Sequence, residues 1–253
     1  CSPAPDRLIG NAVIPVSGIE DAISELERAH ELGFKTVQLI NHPGGGQKPG
    51  PDDDRFYERA LELGMAISPH MYFGGTFSHA VTKSDRNQWG ADAAMSQHVG
   101  GPPAGTMAQL IVNGTFDRIP ELRLYFAEID ALKLPAMLYY MDRDFDEFND
   151  WFQVDLKMAP SEYLRKHARY GMVREAAAVQ IGVANPDLLP LDLFMWGSDF
   201  PHGVGTFPKS KQYIDEVFGN LDDDLRRKVL VGNAADHLGL DLDADITETP
   251  AGD

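Results

Sequence analysis

The sequence has a single cysteine, Cys1, in 253 residues, so no disulfide can close within the chain and no cysteine-based zinc cluster can be built from it. Such sparse use fits a reducing compartment, and the cytoplasm is the expected location. Any metal must sit on histidine and carboxylate. Long apolar runs are missing as well: none approaches the roughly 18–20 residues a membrane span requires. Basic residues are scarce, 22 Lys and Arg against 39 Asp and Glu, for a formal charge of −17. A surface of that sign repels nucleic-acid phosphates and anionic lipid. Neither is an expected partner, and a small molecule is. The same charge would slow an anionic substrate approaching an unshielded site.

Several catalytic signatures are also absent. There is no HExxH, CxxC or GxSxG, and no GxGxxG after a strand, which removes zincin, redox, nucleophile-elbow and dinucleotide readings. The glycine cluster "GGGQKPGPDDD" (Gly44 to Asp54) lacks the GK[ST] ending of a phosphate-binding loop and reads as a flexible connection. The sequence opens at Cys1 rather than methionine, as expected of a processed product, a fragment or the ordered part of something longer.

What the chain does contain is alternation. "RLIGNAVIPV" (Arg7 to Val16), "KTVQLIN", "MAISPHM", "ELRLYFAEID" and "DLFMWGSD" read as strands, and a short strand is expected around Tyr170 to Glu175. Between them lie amphipathic stretches. "IEDAISELERAHELG" carries Ile19, Ile23 and Leu26 on one face and stops at Gly33, and "KLPAMLYYMDRDFDEF" tolerates Pro135 in its first turn. Further helices are expected over about 55–63 and 91–113, from near Ser161, and continuously through "DDDLRRKVLVGNAADHLGL". About six βα units point to a parallel sheet with helices outside it, either an open doubly wound sheet or a (β/α)8 barrel. Both put function at the C-terminal ends of strands. The domain is expected to span residues 1–241, with 242–253 a polar tail.

Polar residues placed where an apolar strand finishes are therefore the informative ones. His70 ends "MAISPH", Glu128 ends "LRLYFAE" and Asp199 ends "FMWGSD". An imidazole and two carboxylates on one rim suit a divalent cation such as Zn²⁺, Mn²⁺ or Fe²⁺, and equally suit general acid and base chemistry. A lone strand-end histidine more often makes a structural hydrogen bond, and strand-end carboxylates often cap the next helix. The coincidence of three strands is what points to a site. His79 and His98 fall in the long segment that should cross the same rim, His42 is a rim candidate without other support, and His30, His167 and His237 lie in expected helices.

Taken with "PDRLIGNAVIPV", "AISELERAHELGFKTVQL", "GMAISPH", "FDRIPELRLYFAE", "MAPSEYLRKH" and above all "FMWGSDFPH" followed by "RRKVLVGNAADHLGL", the chain resembles the amidohydrolase-related metal-dependent hydrolases, the group that includes the aminocarboxymuconate-semialdehyde-type decarboxylases. The resemblance implies a (β/α)8 barrel with one divalent metal, zinc being expected and manganese or iron the alternatives. It implies hydrolysis or non-oxidative decarboxylation of a small organic or aromatic carboxylic compound. In it, His70, Glu128 and Asp199 match metal-facing positions. Asp199 also handles protons and His202 lies near the substrate, while place in the rim-crossing segment, apart from the resemblance, makes His79 a second expected substrate contact. The chain departs from the family pattern in having no HxH pair, so the first two βα units are expected to be missing, and "IDALKLP" replaces a glycine-rich segment. An incomplete barrel exposes edges that invite association, so a missing N-terminal segment or a homo-oligomer is expected to close it. The competing readings are a degenerate barrel that has lost its metal and a metal-free lyase using the carboxylates alone.

Overall fold

The computed structural model describes residues 8–70, 95 and 103–243. Among these, six strands form one sheet: β1 (Asn11–Val13), β2 (Thr36–Leu39), β3 (Ala66–Pro69), β4 (Leu124–Phe126), β5 (Ala168–Met172) and β6 (Phe194–Trp196). Every pairing is parallel, and the order in the sheet is the order in the chain. That order separates the two sequence alternatives. A doubly wound sheet reverses at a switch point, whereas this one advances in one direction, as a barrel wall does. Because β1 and β6 are edges of the sheet among the described residues, the wall they form is an unclosed (β/α)-barrel.

Helices occupy the crossings: α1 (Ile19–Glu31), α2 (Asp53–Glu62), α3 (Ala104–Val112), α4 (Thr115–Arg118), α5 (Lys133–Phe152), α6 (Pro160–His167), α7 (Ala176–Ala184), α8 (Ser210–Phe218), α9 (Asp223–Arg227) and α10 (Asn233–Leu238). In α1, Glu20 and Asp21 sit at the start and Arg28 and His30 at the end, each sign placed where the helix dipole favours it. Gly33 then takes φ 83° to let the chain leave. Among the described residues no helix is long and apolar enough to cross a membrane.

Alternation along the strands assigns two faces. Val37, Leu39, Ile67, Leu124, Phe126, Tyr170 and Phe194 are buried on one, packed with Leu26, Phe56, Leu110, Phe116 and Leu164 of the helices. Each such side chain contributes roughly 1.5–3 kcal/mol by leaving water. The opposite, inward face carries Thr36, Gln38, Ala66, Ser68, Tyr125, Arg169, Gly171 and Met195, a polar and small-residue set rather than a second apolar layer. At the open edge the inward Val13 is 55% exposed.

The structure corrects several expected boundaries. The first strand shrinks from Arg7–Val16 to three residues, because only these pair with β2, Ile14 N–H adding one further bond to Gln38 O at 3.0 Å. The short strand expected at Tyr170–Glu175 lies earlier, at Ala168–Met172, and Leu191–Leu193 before β6 is a 3₁₀ turn. The helix expected through "DDDLRRKVLVGNAADHLGL" is interrupted by five residues of π-helix, Lys228–Gly232. That widened turn is followed by Asn233, whose buried amide donates to Asp192 O at 2.8 Å and Phe194 O at 2.7 Å, tying the helix to the foot of β6. Of the helical region expected over 91–113, Ala104–Val112 is described as helix.

Candidate active site

Because all six strands run the same way, their C-terminal ends share one rim, and three of the polar residues singled out from sequence stand there. His70 directly follows β3, its N–H bonded to Leu39 O at 2.9 Å. Glu128 follows β4 by two residues and Asp199 follows β6 by three. Both carboxylates occupy the left-handed backbone region at φ 54°. That conformation costs a residue with a side chain about 1–3 kcal/mol and persists where the surroundings over-determine it.

The surroundings do so at both positions. Beside Glu128, β5 supplies Gly171, where a Cβ would fall 2.8 Å from the Glu128 backbone nitrogen. Around Asp199 the loop is closed by His202 N–H to Asp199 O (2.8 Å), Gly205 N–H to His202 O (3.0 Å) and Thr206 N–H to Ser198 O (2.9 Å). The Phe200–Pro201 peptide inside it is cis. Gly205 is the tightest point, since a Cβ there would meet the carbonyl oxygens of Ser198, Asp199 and His202 at 2.6–3.0 Å. Thr206 is buried beneath the loop and its hydroxyl shares a 2.9 Å bond with Ser210 Oγ. Two residues past β5, Arg174 reaches across to donate to Val204 O at 3.1 Å while its guanidinium lies over the Tyr213 ring.

The result is a cluster of three. One ligand atom each from Glu128, Asp199 and His202 lies within 4.8 Å of the others. Asp199 Oδ1 is 2.7 Å from His202 Nδ1, and Glu128 Oε2 is 3.7 Å from the same nitrogen. His70 Nε2 flanks the cluster, 3.9 Å from Glu128 Oε1. The Asp199 side chain is only 6% exposed, and among the described residues neither it nor Glu128 pairs with a lysine or arginine. A nearly buried carboxylate without a compensating cation is costly, and two carboxylates with an imidazole form an oxygen-rich, nitrogen-containing donor set. These residues therefore fit a divalent cation.

His202, expected beside the substrate, lies in the three-ligand group, whereas His70, expected as a ligand, lies at its flank. His79 and His98 lie outside the described residues. His42 is buried, its Nε2 2.8 Å from Gln109 Oε1 of α3, and burial pushes it down to about 4; it is not in the cluster. Sequence reasoning did not find Gly171, Arg174, Gly205 or Thr206. Each acts by backbone approach or by a bond to a carbonyl, which residue type alone does not announce. It also passed over Tyr125, inward on β4, whose phenol is pushed up to about 12 by burial and then by the Glu128 charge.

The sequence profile described as amidohydrolase matches residues 1–240, and the chain belongs to the amidohydrolase family. It is 29% identical over 142 residues to the decarboxylase orsB of Emericella nidulans, a match covering 53% of this chain and 41% of that one. The fold is similar to the crystal structure of 5-carboxyvanillate decarboxylase LigW from Sphingomonas paucimobilis, with TM-score 0.70 and 20% identity, covering 95% of this chain and 69% of the other. It is also similar to a 5-carboxyvanillate decarboxylase from Novosphingobium aromaticivorans complexed with manganese and 4-hydroxy-3-methoxy-5-nitrobenzoic acid, with TM-score 0.66 and 20% identity, covering 95% and 66%. The chain spans about two fifths of the length of the curated relative it matches.

Proposed function

We propose that this chain carries the metal-facing half of the active site of an amidohydrolase-type enzyme, and that the reaction is non-oxidative decarboxylation of an aromatic carboxylic acid. The observation that carries the reading is the nearly buried Asp199, set against His202 and close to Glu128, with no lysine or arginine to offset either carboxylate among the described residues. Decarboxylase relatives favour carbon dioxide loss over hydrolysis, and the manganese in one of them favours a divalent cation, with Mn²⁺ the first to test.

Glu128, Asp199 and His202 would hold that cation, with His70 adjacent. When bound, it supplies positive charge that draws in and orients substrate oxygens. The protein's own residues do the rest. In the neutral imidazole His202 Nδ1–H donates a hydrogen bond to Asp199 Oδ1, which leaves the Nε2 lone pair as the one that could serve as a ligand. The same carboxylate is placed to hold and return the proton that must reach the ring carbon as the carboxyl group leaves. The 198–206 loop keeps the pair in register. We further propose that βα units from an N-terminal segment, or from a second subunit, close the gap between β1 and β6 and complete the ligand set.

The test is metal-dependent carbon dioxide release from hydroxylated benzoic acids by the purified protein. Release lost on chelation and restored by Mn²⁺ or Zn²⁺ supports the reading. Stoichiometric metal without any release points instead to a barrel active only when its open edges are closed, and absence of metal from every preparation to a degenerate one.

A further inference from the structure

Below the cluster, the inward face of the sheet holds a second polar arrangement that the metal-facing residues do not use. Tyr125 on β4 pairs in register with Arg169 on β5, but its side chain leans toward the rim. Its phenol oxygen and the Glu128 backbone nitrogen both lie 2.8 Å from where a Cβ on Gly171 would stand. Gly171 thus leaves the space that the phenol enters, directly beneath a site carboxylate. Among the described residues the hydroxyl has no hydrogen-bond partner. Its ring stands 5.8 Å from that of His237, whose Nε2 is buried and also without a partner. Thr36, Ala66 and Ser68 line the same face, where a filled barrel interior would carry bulky branched residues.

A half-buried phenol with no partner among the described residues has its O–H available to donate. On the floor of a site walled by two carboxylates, a neutral O–H can take an oxygen of an anionic ligand without adding negative charge. We propose that Tyr125 is a substrate-contacting residue, donating to an oxygen substituent on the ring of an aromatic acid bound between it and the Glu128–Asp199–His202 cluster. This rests on the aromatic-acid reading above and adds which group on the ring is recognised.

The experiment is calorimetric titration of the Mn²⁺-loaded protein and of Tyr125→Phe with benzoate and with its 2-, 3- and 4-hydroxy derivatives. Tyr125→Phe should lower affinity for at least one hydroxybenzoate about five- to tenfold, while benzoate and Mn²⁺ binding stay within twofold. Unchanged affinity for every acid, or an equal loss for benzoate, overturns the role of Tyr125 while leaving the proposed reaction intact. Wild-type protein that binds Mn²⁺ but none of the acids overturns the substrate class and this contact with it. Wild-type protein that binds no Mn²⁺ overturns the metal, and the same titrations without metal then decide Tyr125. If Tyr125→Phe does not fold, the same titrations on Tyr125→Leu decide the matter: a loss confined to hydroxybenzoates supports the contact, and unchanged affinity for every acid overturns it.

Discussion

Asp199 and His202 stand at opposite ends of one tight turn, Oδ1 to Nδ1 2.7 Å apart, while the backbone between them closes with a 2.8 Å bond from His202 N–H to Asp199 O. Side chains and main chain therefore fix the same geometry twice. Asp199→Asn keeps the size of the side chain and suits φ 54° at least as well, since asparagine tolerates the left-handed region. The variant should fold with a thermal midpoint within a few degrees of wild type while turnover falls by ~10²–10⁴-fold, the usual worth of a positioned acid or base. Retained turnover would remove Asp199 from the proton-transfer step.

The metal prediction concerns Glu128 and His70. Glu128→Gly removes a ligand and relieves the cost of φ 54°, so it should weaken Mn²⁺ binding strongly and cost no stability. That pairing separates loss of a ligand from loss of the fold. His70, 3.9 Å from Glu128, should cost about 10–100-fold in metal affinity on change to alanine, whether as ligand or as the group that orients one. Calorimetry with Mn²⁺ and with Zn²⁺ reads both effects and ranks the two metals.

The loop prediction turns on Gly205. An added methyl group would sit 2.6 Å from Ser198 O, 2.9 Å from Asp199 O and 3.0 Å from His202 O, all backbone atoms of the segment it closes. Gly205→Ala should spread the loop, lowering stability by ~1–3 kcal/mol in the manner of overpacking and weakening Mn²⁺ binding together with turnover. Gly203, whose added Cβ meets nothing within 4 Å, is the control: Gly203→Ala should change neither.

How legible this was depended on whether a residue acts through type and place or through approach. His70, Glu128 and Asp199 stood out because each breaks an apolar run at a strand end, and parallel strands bring such ends to one rim. His202 stood out through its neighbours in "GSDFPH". The parallel fold followed from alternation. The choice between open sheet and barrel did not, because strand order is a long-range property, and here 1-2-3-4-5-6 decides it. The glycines at 171 and 205 were silent, since what matters is which backbone atoms crowd them. The role of Asn233 in "GNAA" was equally hidden, as its partners, Asp192 O and Phe194 O, lie about forty residues away.

The last prediction concerns acid. His237 is half-buried beside Tyr125 with its Nε2 out of water, and is held down to about 4, first by burial and then by the charge of Arg169; His42, buried against Gln109, is held at about 4 by burial. In the unfolded chain both return to the ordinary value near 6.5. Between those values the unfolded state binds more protons than the folded one, so stability is full above about pH 6.5 and falls as pH drops toward 4. For His237 the loss reaches up to about 3 kcal/mol by the lower value. His237→Phe keeps an aromatic ring against Tyr125 but forfeits the bond to the Ile67 backbone, so it should be less stable than wild type at pH 7.5 by about 1 kcal/mol. Its denaturation midpoint should nevertheless fall less steeply from pH 7 to pH 4.5. Parallel curves for the two proteins would mean that His237 is not held neutral in the folded protein.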